Sequence, residues 1–248
     1  MIRNALLVAL VACATIDPAA VHAQGFVDVE SGAAFTGYND VRIPSETGTL
    51  ISLKTDIVSE PAFVLRVRAG YTFGGRHTVM VLAAPLSAFG SGTLEEAIDY
   101  QGVTFPVSTK VYSSYRFDSY RLSYRYTFVE NESLVFAAGL VGKLRVADIA
   151  IMSDDAYAHR GNIGFVPLLS ALLQVKISGP FSVLLDADAL VTPFGRAEDA
   201  LLAVQYALSD RVTARIGYRL LEGGSDGGGS VYTFALFHYA TMGMTVRF

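Results

Sequence analysis

From Val231 to Phe248 the chain reads VYTFALFHYATMGMTVRF. Ala240, Met242, Met244, Val246 and Phe248 are apolar, and Thr241, Gly243, Thr245 and Arg247 stand between them. Side chains of a strand alternate between faces, so this period of two puts the apolar set on one face. The same alternation, punctuated by tight turns, recurs from residue 26 onward and predicts ten strands. The first is Phe26–Tyr38, followed by a long connection, Asn39–Pro61, with an extended insert at Thr49–Ile57. The second and third, Ala62–Phe73 and His77–Ala88, flank the turn Gly74-Gly75-Arg76. Phe89–Thr109 is a long loop. Lys110–Phe128 and Leu134–Met152 flank Val129–Ser133, and Ser153–Asn162 is a polar loop. Ile163–Ile177 and Phe181–Thr192 flank Ser178-Gly179-Pro180, and Pro193–Glu198 is a loop. Asp199–Leu208 and Val212–Leu221 flank Ser209-Asp210-Arg211. Glu222–Ser230 (EGGSDGGGS) leads to the last strand.

Short and long connections therefore alternate, as in membrane barrels with short periplasmic turns and longer external loops. The expected fold is all-β: a transmembrane, antiparallel, up-and-down β-barrel of ten strands, or eight if the third and eighth are not strands. Residues 24–248 form one domain, with no linker or composition break. Each strand exceeds the ~9–11 residues needed to cross a bilayer at a tilt.

The first 23 residues are of a different kind. A charged start (Ile2-Arg3-Asn4), an apolar run (Ala5–Ile16) and a polar tail ending Val21-His22-Ala23 predict a cleaved secretory signal peptide. A lipoprotein-type box, Leu10–Cys13, competes, but cutting there leaves a short apolar core. Cys13 is the only cysteine, so the mature chain has no disulfide, thiolate nucleophile or cysteine metal site.

Composition agrees with the pattern. Hydrophobic residues make up 52% and charged residues 17%, a low charge content for a soluble domain. The apolar residues are dispersed by alternation, as a lipid-facing barrel requires. The net charge of −4 argues against nucleic-acid binding, which calls for a basic surface. The C-terminal strand resembles the closing strand of bacterial outer-membrane β-barrels, which end in Phe after alternating apolar residues. The resemblance implies that Met244, Val246 and Phe248 form the signal read by the barrel-assembly machinery. It also implies outer-membrane lipid and lipopolysaccharide as surroundings. Tyr71, Phe73, Tyr126, Phe128, Phe181 and Phe248 fall beside the proposed periplasmic turns, as an aromatic girdle would.

Strand parity sorts the charges. Arg66 and Arg68 face inward on the second strand, Arg121 and Arg125 on the fourth, Lys143 and Arg145 on the fifth. Lys176 does so on the sixth, Arg215 and Arg219 on the ninth, and Arg247 on the last. Asp28 and Glu30 on the first strand and Asp186 and Asp188 on the seventh also face in. The lumen thus holds about ten basic and about four acidic groups, which should form a network of ion pairs.

Catalytic readings are weaker. Asp186 and Asp188 stand ~6.6 Å apart along one face, but arginines nearby make salt-bridge roles the simpler account. Ten strands are shared with the omptins, outer-membrane proteases whose motif has no counterpart here. His238-Tyr239-Ala240-Thr241 faintly resembles the His-x-Ser-Asn of lipid A deacylases, but Ala240 stands where the nucleophilic serine belongs. By parity His238 faces lipid. His77 beside a turn and His159 in a loop read as solvated. EGGSDGGGS opens no helix and is no phosphate loop. No metal site and no cofactor are expected. The reading is an integral barrel with an arginine-rich lumen and a structural or small-ligand-binding role. The alternatives are a narrow anion-favouring pore and an envelope enzyme acting on lipid or peptide.

Overall fold

The computed structural model describes residues 24–248. The leader expected over residues 1–23, with Cys13, lies outside the described residues. Ten long strands follow in order: β1 (Gln24–Arg42), β2 (Ala62–Phe73), β3 (His77–Ala84, resuming as Ser87–Thr93), β4 (Lys110–Glu130) and β5 (Leu134–Met152). Then come β6 (Tyr157–Ser178), β7 (Phe181–Thr192), β8 (Gly195–Ala207), β9 (Val212–Asp226) and β10 (Tyr232–Arg247). Each pairs antiparallel with its neighbours in sequence, and β10 pairs back onto β1, which closes a ten-stranded barrel. Closure matters because hydrocarbon offers no water to bond the free N–H and C=O groups of a sheet edge.

The seam between β1 and β10 runs from Phe26 opposite Arg247 to Arg42 opposite Tyr232, with one irregularity at Thr36–Tyr38. Beyond the last pair, the Phe248 N–H donates to the Gly25 carbonyl at 2.9 Å and the Gly25 N–H donates back at 3.0 Å. The Phe248 ring lies over Gly25, where a Cβ would come within 2.5 Å of it. The seam thus depends on a residue without a side chain.

The outward face is apolar along every wall: Leu65, Val67, Leu122, Leu140, Leu169, Leu202 and Ile216 are all exposed. Near the end that carries Phe248, aromatic rings meet in a row. Phe73 stacks on His77, His77 meets Tyr126, Tyr126 meets Phe128, and Phe128 meets Phe136. His77 is therefore a member of the aromatic belt, its Nδ1 2.9 Å from the Tyr124 hydroxyl, and not a solvated turn residue. Gly74 and Gly75 adopt φ of +58° and +70°, the left-handed pair that a tight hairpin turn requires.

At the opposite end the connections differ from expectation. The polar stretches at 153–162, 193–198 and 222–230 are mostly strand. β6 begins at Tyr157, β8 at Gly195, and β9 continues to Asp226. Their polar residues alternate to face the lumen or the solvent above the membrane, so polarity there marks height and face, not a loop. The two long connections fold inward. Residues 43–61 carry short strands at Ile51–Ser52 and Val58–Ser59, and residues 94–109 carry a hairpin of Ile98–Tyr100 with Val103–Phe105. Ile43, Ile51, Leu53, Ile57, Tyr100 and Phe105 are fully buried, packed with Val41, Val111, Ile151, Phe237 and Tyr239 from the walls. The interior is therefore not polar throughout: the part farthest from Phe248 is an apolar core. Burial pushes the Tyr100 phenol pKa upward, and its hydroxyl donates to the Ile149 carbonyl at 2.9 Å.

Candidate functional site

The lower and middle interior is built from alternate residues of facing strands. Arg66 and Arg68 project from β2, opposite Glu30 and Asp28 of β1 in the ladder. Arg121 and Arg125 come from β4, Asp186 and Asp188 from β7, Asp199 from β8, and Arg215 and Arg219 from β9. These eleven groups are linked without a break. Asp28 is joined to Arg215, and Arg215 to Glu30 at 2.9 Å. Glu30 meets Arg219 at 2.7 Å and Arg66 at 3.6 Å. Both of those arginines reach Asp199, Arg66 at 2.9 Å. Arg121 spans Asp199 at 2.5 Å and Asp188 at 2.6 Å. Asp188 lies 3.3 Å from Arg125, which also holds Asp186, and Asp186 ends the chain on Arg68 at 2.7 Å. Ser170 donates to Asp188 and Thr245 to Asp28.

The arrangement resolves a conflict in the ladder. Asp188 and Asp199 stand directly opposite each other on β7 and β8, a placement that like charges disfavour. The Arg121 guanidinium lies between them and donates one N–H to each. A rigid planar fork suits two separate acceptors better than a single ammonium does. The side chains of Arg121 and Asp199 are 1% and 2% exposed, so the network fills the barrel at this height.

Four basic residues expected in the lumen stand outside the ion pairs. Lys143 is buried, its ammonium 4.8 Å from the centre of the Phe117 ring. Arg145 donates to Asn162. Arg247 donates to Thr213 at 3.3 Å. Lys176 is exposed near the end of β6. Among the described residues no carboxylate lies within 4 Å of any of the four. Fewer acids than bases point into the lumen, although the whole sequence holds 23 acids against 19 Lys and Arg, and the network carboxylates are already shared among six arginines. Three partners were missed. Asp199 opens the eighth expected strand, and its parity with Leu201, Ala203 and Gln205 points it inward. Glu222, within the expected glycine-rich loop, lies in β9, holds Arg196 at 2.6 Å and accepts from Tyr38. Asp118, buried on β4, pairs with Arg116 at 2.5 Å.

Above the network lies a cavity of about 500 Å³. Lys143, Arg145, Arg160, Arg196 and Glu222 line it among Tyr115, Phe117, Leu190, Leu221 and Phe237. Arg145 Nε and Thr233 Oγ1 border it, and both are buried without a hydrogen-bond partner in the protein.

The three histidines of the described residues pair with tyrosine hydroxyls or a carboxylate. His238 stacks on Tyr218 of β9 and lies 2.5 Å from its hydroxyl. His159 lies in β6, not in a loop, 3.0 Å from Asp148 on the outer wall. Among the described residues no serine hydroxyl is hydrogen-bonded to either ring. Met244, Val246 and Phe248 lie on the exposed outer face of the seam. No cluster of His, Cys, Asp and Glu with metal-binding geometry occurs among the described residues.

No protein-family model and no curated protein sequence matches this chain. Solved structures do. The outer membrane protease OmpT from Escherichia coli aligns over 91% of this chain and 97% of its own, at 8% identity and a TM-score of 0.54. The transport unit of the autotransporter AIDA-I from Escherichia coli aligns over 91% and 89%, at 6% identity and a TM-score of 0.47. Ail, the attachment invasion locus protein of Yersinia pestis, aligns over 90% and 99%, at 12% identity and a TM-score of 0.38. At such identities the likeness concerns the backbone alone. The fold of this chain is that of the bacterial outer-membrane β-barrels.

Proposed function

We propose that this chain is a non-conducting, non-catalytic barrel of the bacterial outer membrane that binds a small ligand in its external half. The single observation that carries the reading is the unbroken network of six arginines and five carboxylates across the waist. Burying an ion is costly unless it is paired, and pairs that join several walls at once fill the section with side chains. Above that floor the cavity has the size and mixed lining typical of small-molecule sites, about 300–1,000 Å³ and mostly apolar with a few polar groups. The apolar outer wall and aromatic belt support a lipid environment. The short-turn end is then periplasmic, and Met244, Val246 and Phe248 serve as the assembly signal.

The rival reading is a narrow anion-favouring pore, supported by the cations without carboxylate partners. Planar-bilayer recording decides between them. The purified barrel is expected to give no step-like current in a salt gradient. Discrete steps with anion selectivity would establish the pore and dispose of the closed waist.

A further inference from the structure

The wall of the barrel is not paired along its full height. The β6–β7 ladder rises from Ser178 opposite Phe181 only as far as Leu169 opposite Ala189. β5 pairs with β6 all the way to Met152 opposite Tyr157. β7 pairs with β8 to Thr192 opposite Gly195. Residues 157–168 of β6 therefore have a ladder partner on one side only. Two residues beyond the last pair stands Pro167, which has no N–H to give. Leu169 lies nine residues from Ser178, about 23 Å along the barrel axis for a tilted strand. That height is the outer boundary of an apolar band ~25 Å tall.

The cavity lies behind this break. Phe165, Val166 and Pro167 line it from one edge, and Leu190, Thr192 and Phe194 from the other. On the outside, Ile163, Phe165, Val191 and Phe194 are at least two-thirds exposed. The upper mouth is bridged instead. The Ser45 N–H donates to the Ser230 carbonyl at 3.1 Å, and the Ser45 hydroxyl donates to Gly229 at 2.6 Å. Arg160 donates to the Ser230 hydroxyl at 3.1 Å. Within the cavity, Lys143, Arg145 and Arg160 have no carboxylate within 4 Å among the described residues, and Arg145 Nε keeps an unused donor.

We infer that the cavity takes a single-chain amphipathic anion from the outer leaflet, sideways through the opening between β6 and β7. Its anionic head meets Lys143 and Arg145, and its chain lies along Phe117 toward Phe165 and Phe194. The inference rests on the ligand-binding reading above and adds the ligand's class and its route. Excess cationic charge selects the head, the apolar lining selects the chain, and the break lies where a lipid-borne ligand would meet the wall.

The test uses the full barrel in phosphatidylcholine nanodiscs and radiolabelled dodecanoate, with empty nanodiscs subtracted. Dodecanol and acetate, one lacking the charge and the other the chain, serve as competitors. Val166→Cys and Thr192→Cys, joined by a short thiol-reactive cross-linker, close the opening, and the same variant without cross-linker controls for folding. Saturable dodecanoate binding is expected, displaced by neither competitor at equal concentration and weakened at least tenfold in Lys143→Met. Cross-linking should slow uptake at least tenfold. Uptake that the cross-link leaves unchanged overturns the lateral route while leaving the binding site standing. Equal binding of dodecanol overturns the anionic class. No saturable binding to the unmodified barrel overturns both this inference and the ligand-binding reading.

Discussion

Arg121 shows how one side chain can decide whether a ladder register is tolerable. Asp188 and Asp199 face each other across β7 and β8, and Arg121 neutralises both from β4. Removing one partner of a buried ion pair leaves an uncompensated charge and costs ~3–5 kcal/mol. Arg121→Met is expected near the lower end, because Asp199 keeps Arg66 and Arg219, and Asp188 keeps Arg125. A urea midpoint in lipid vesicles measures the loss, and adding Asp199→Asn should restore part of it. Lys143→Met is the contrasting case. Lys143 has no carboxylate to strand and already lies against Phe117, so the change should be neutral or stabilising by the same measurement. A loss as large as that of Arg121→Met would show that Lys143 belongs to the network electrostatically.

Strands were legible where alternation met a sharp turn. The bounds of β2, β5 and β7 coincide with those read from the sequence, because Gly74-Gly75, Ser153 and Ser178-Gly179-Pro180 end the pattern abruptly. The bounds of β6, β8 and β9 do not, because polarity changes with height above the membrane while strand pairing continues. The inward-folding connections were legible in part. Ile51 and Leu53 alternate within a stretch read as an insert, yet no sequence period says which way a loop will bend. The charged residues of the waist could be sorted by parity, whereas the identity of each partner depends on which walls face each other across the lumen. At the seam, the element itself makes a prediction. A side chain on Gly25 would displace the Phe248 ring. Gly25→Val and Phe248→Ala are both expected to lower the folded yield on refolding into vesicles, read as heat-modifiable gel mobility. If Phe248→Ala alone fails, and only in cells, the ring serves recognition and not seam packing.

For the molecule as a whole, the interior has two fillings. An ionic floor joins β1, β2, β4, β7, β8 and β9, and an apolar core made largely by residues 43–105 occupies part of the space above it. Each does what the other cannot. Ion pairs with directional geometry fix the relative positions of distant walls, while apolar side chains without directional demands let two long connections settle inside. The cavity is the volume that neither filling occupies, on the side formed by β4 to β10. A barrel of ten strands is wide enough for side chains to fill its section nearly completely, so a gap of about 500 Å³ stands out against its surroundings.

The inward fold of residues 43–61 also decides how the outer end meets a hydrolase. Lys54 and Thr55 are exposed at the tip of that connection, which by sequence alone is a cleavage site for trypsin. Ile51, Leu53 and Ile57 on either side are fully buried. Drawing the chain into a protease cleft requires extended backbone, and here that means extracting the three side chains from the core. Trypsin is expected to leave the Lys54–Thr55 bond of the folded barrel intact, checked by mass spectrometry of the digest, and to cut it once the barrel is unfolded. The long connection is thus armoured, and the accessible nick site moves to the glycine-rich stretch at 227–229, where a glycine-tolerant protease should cut first.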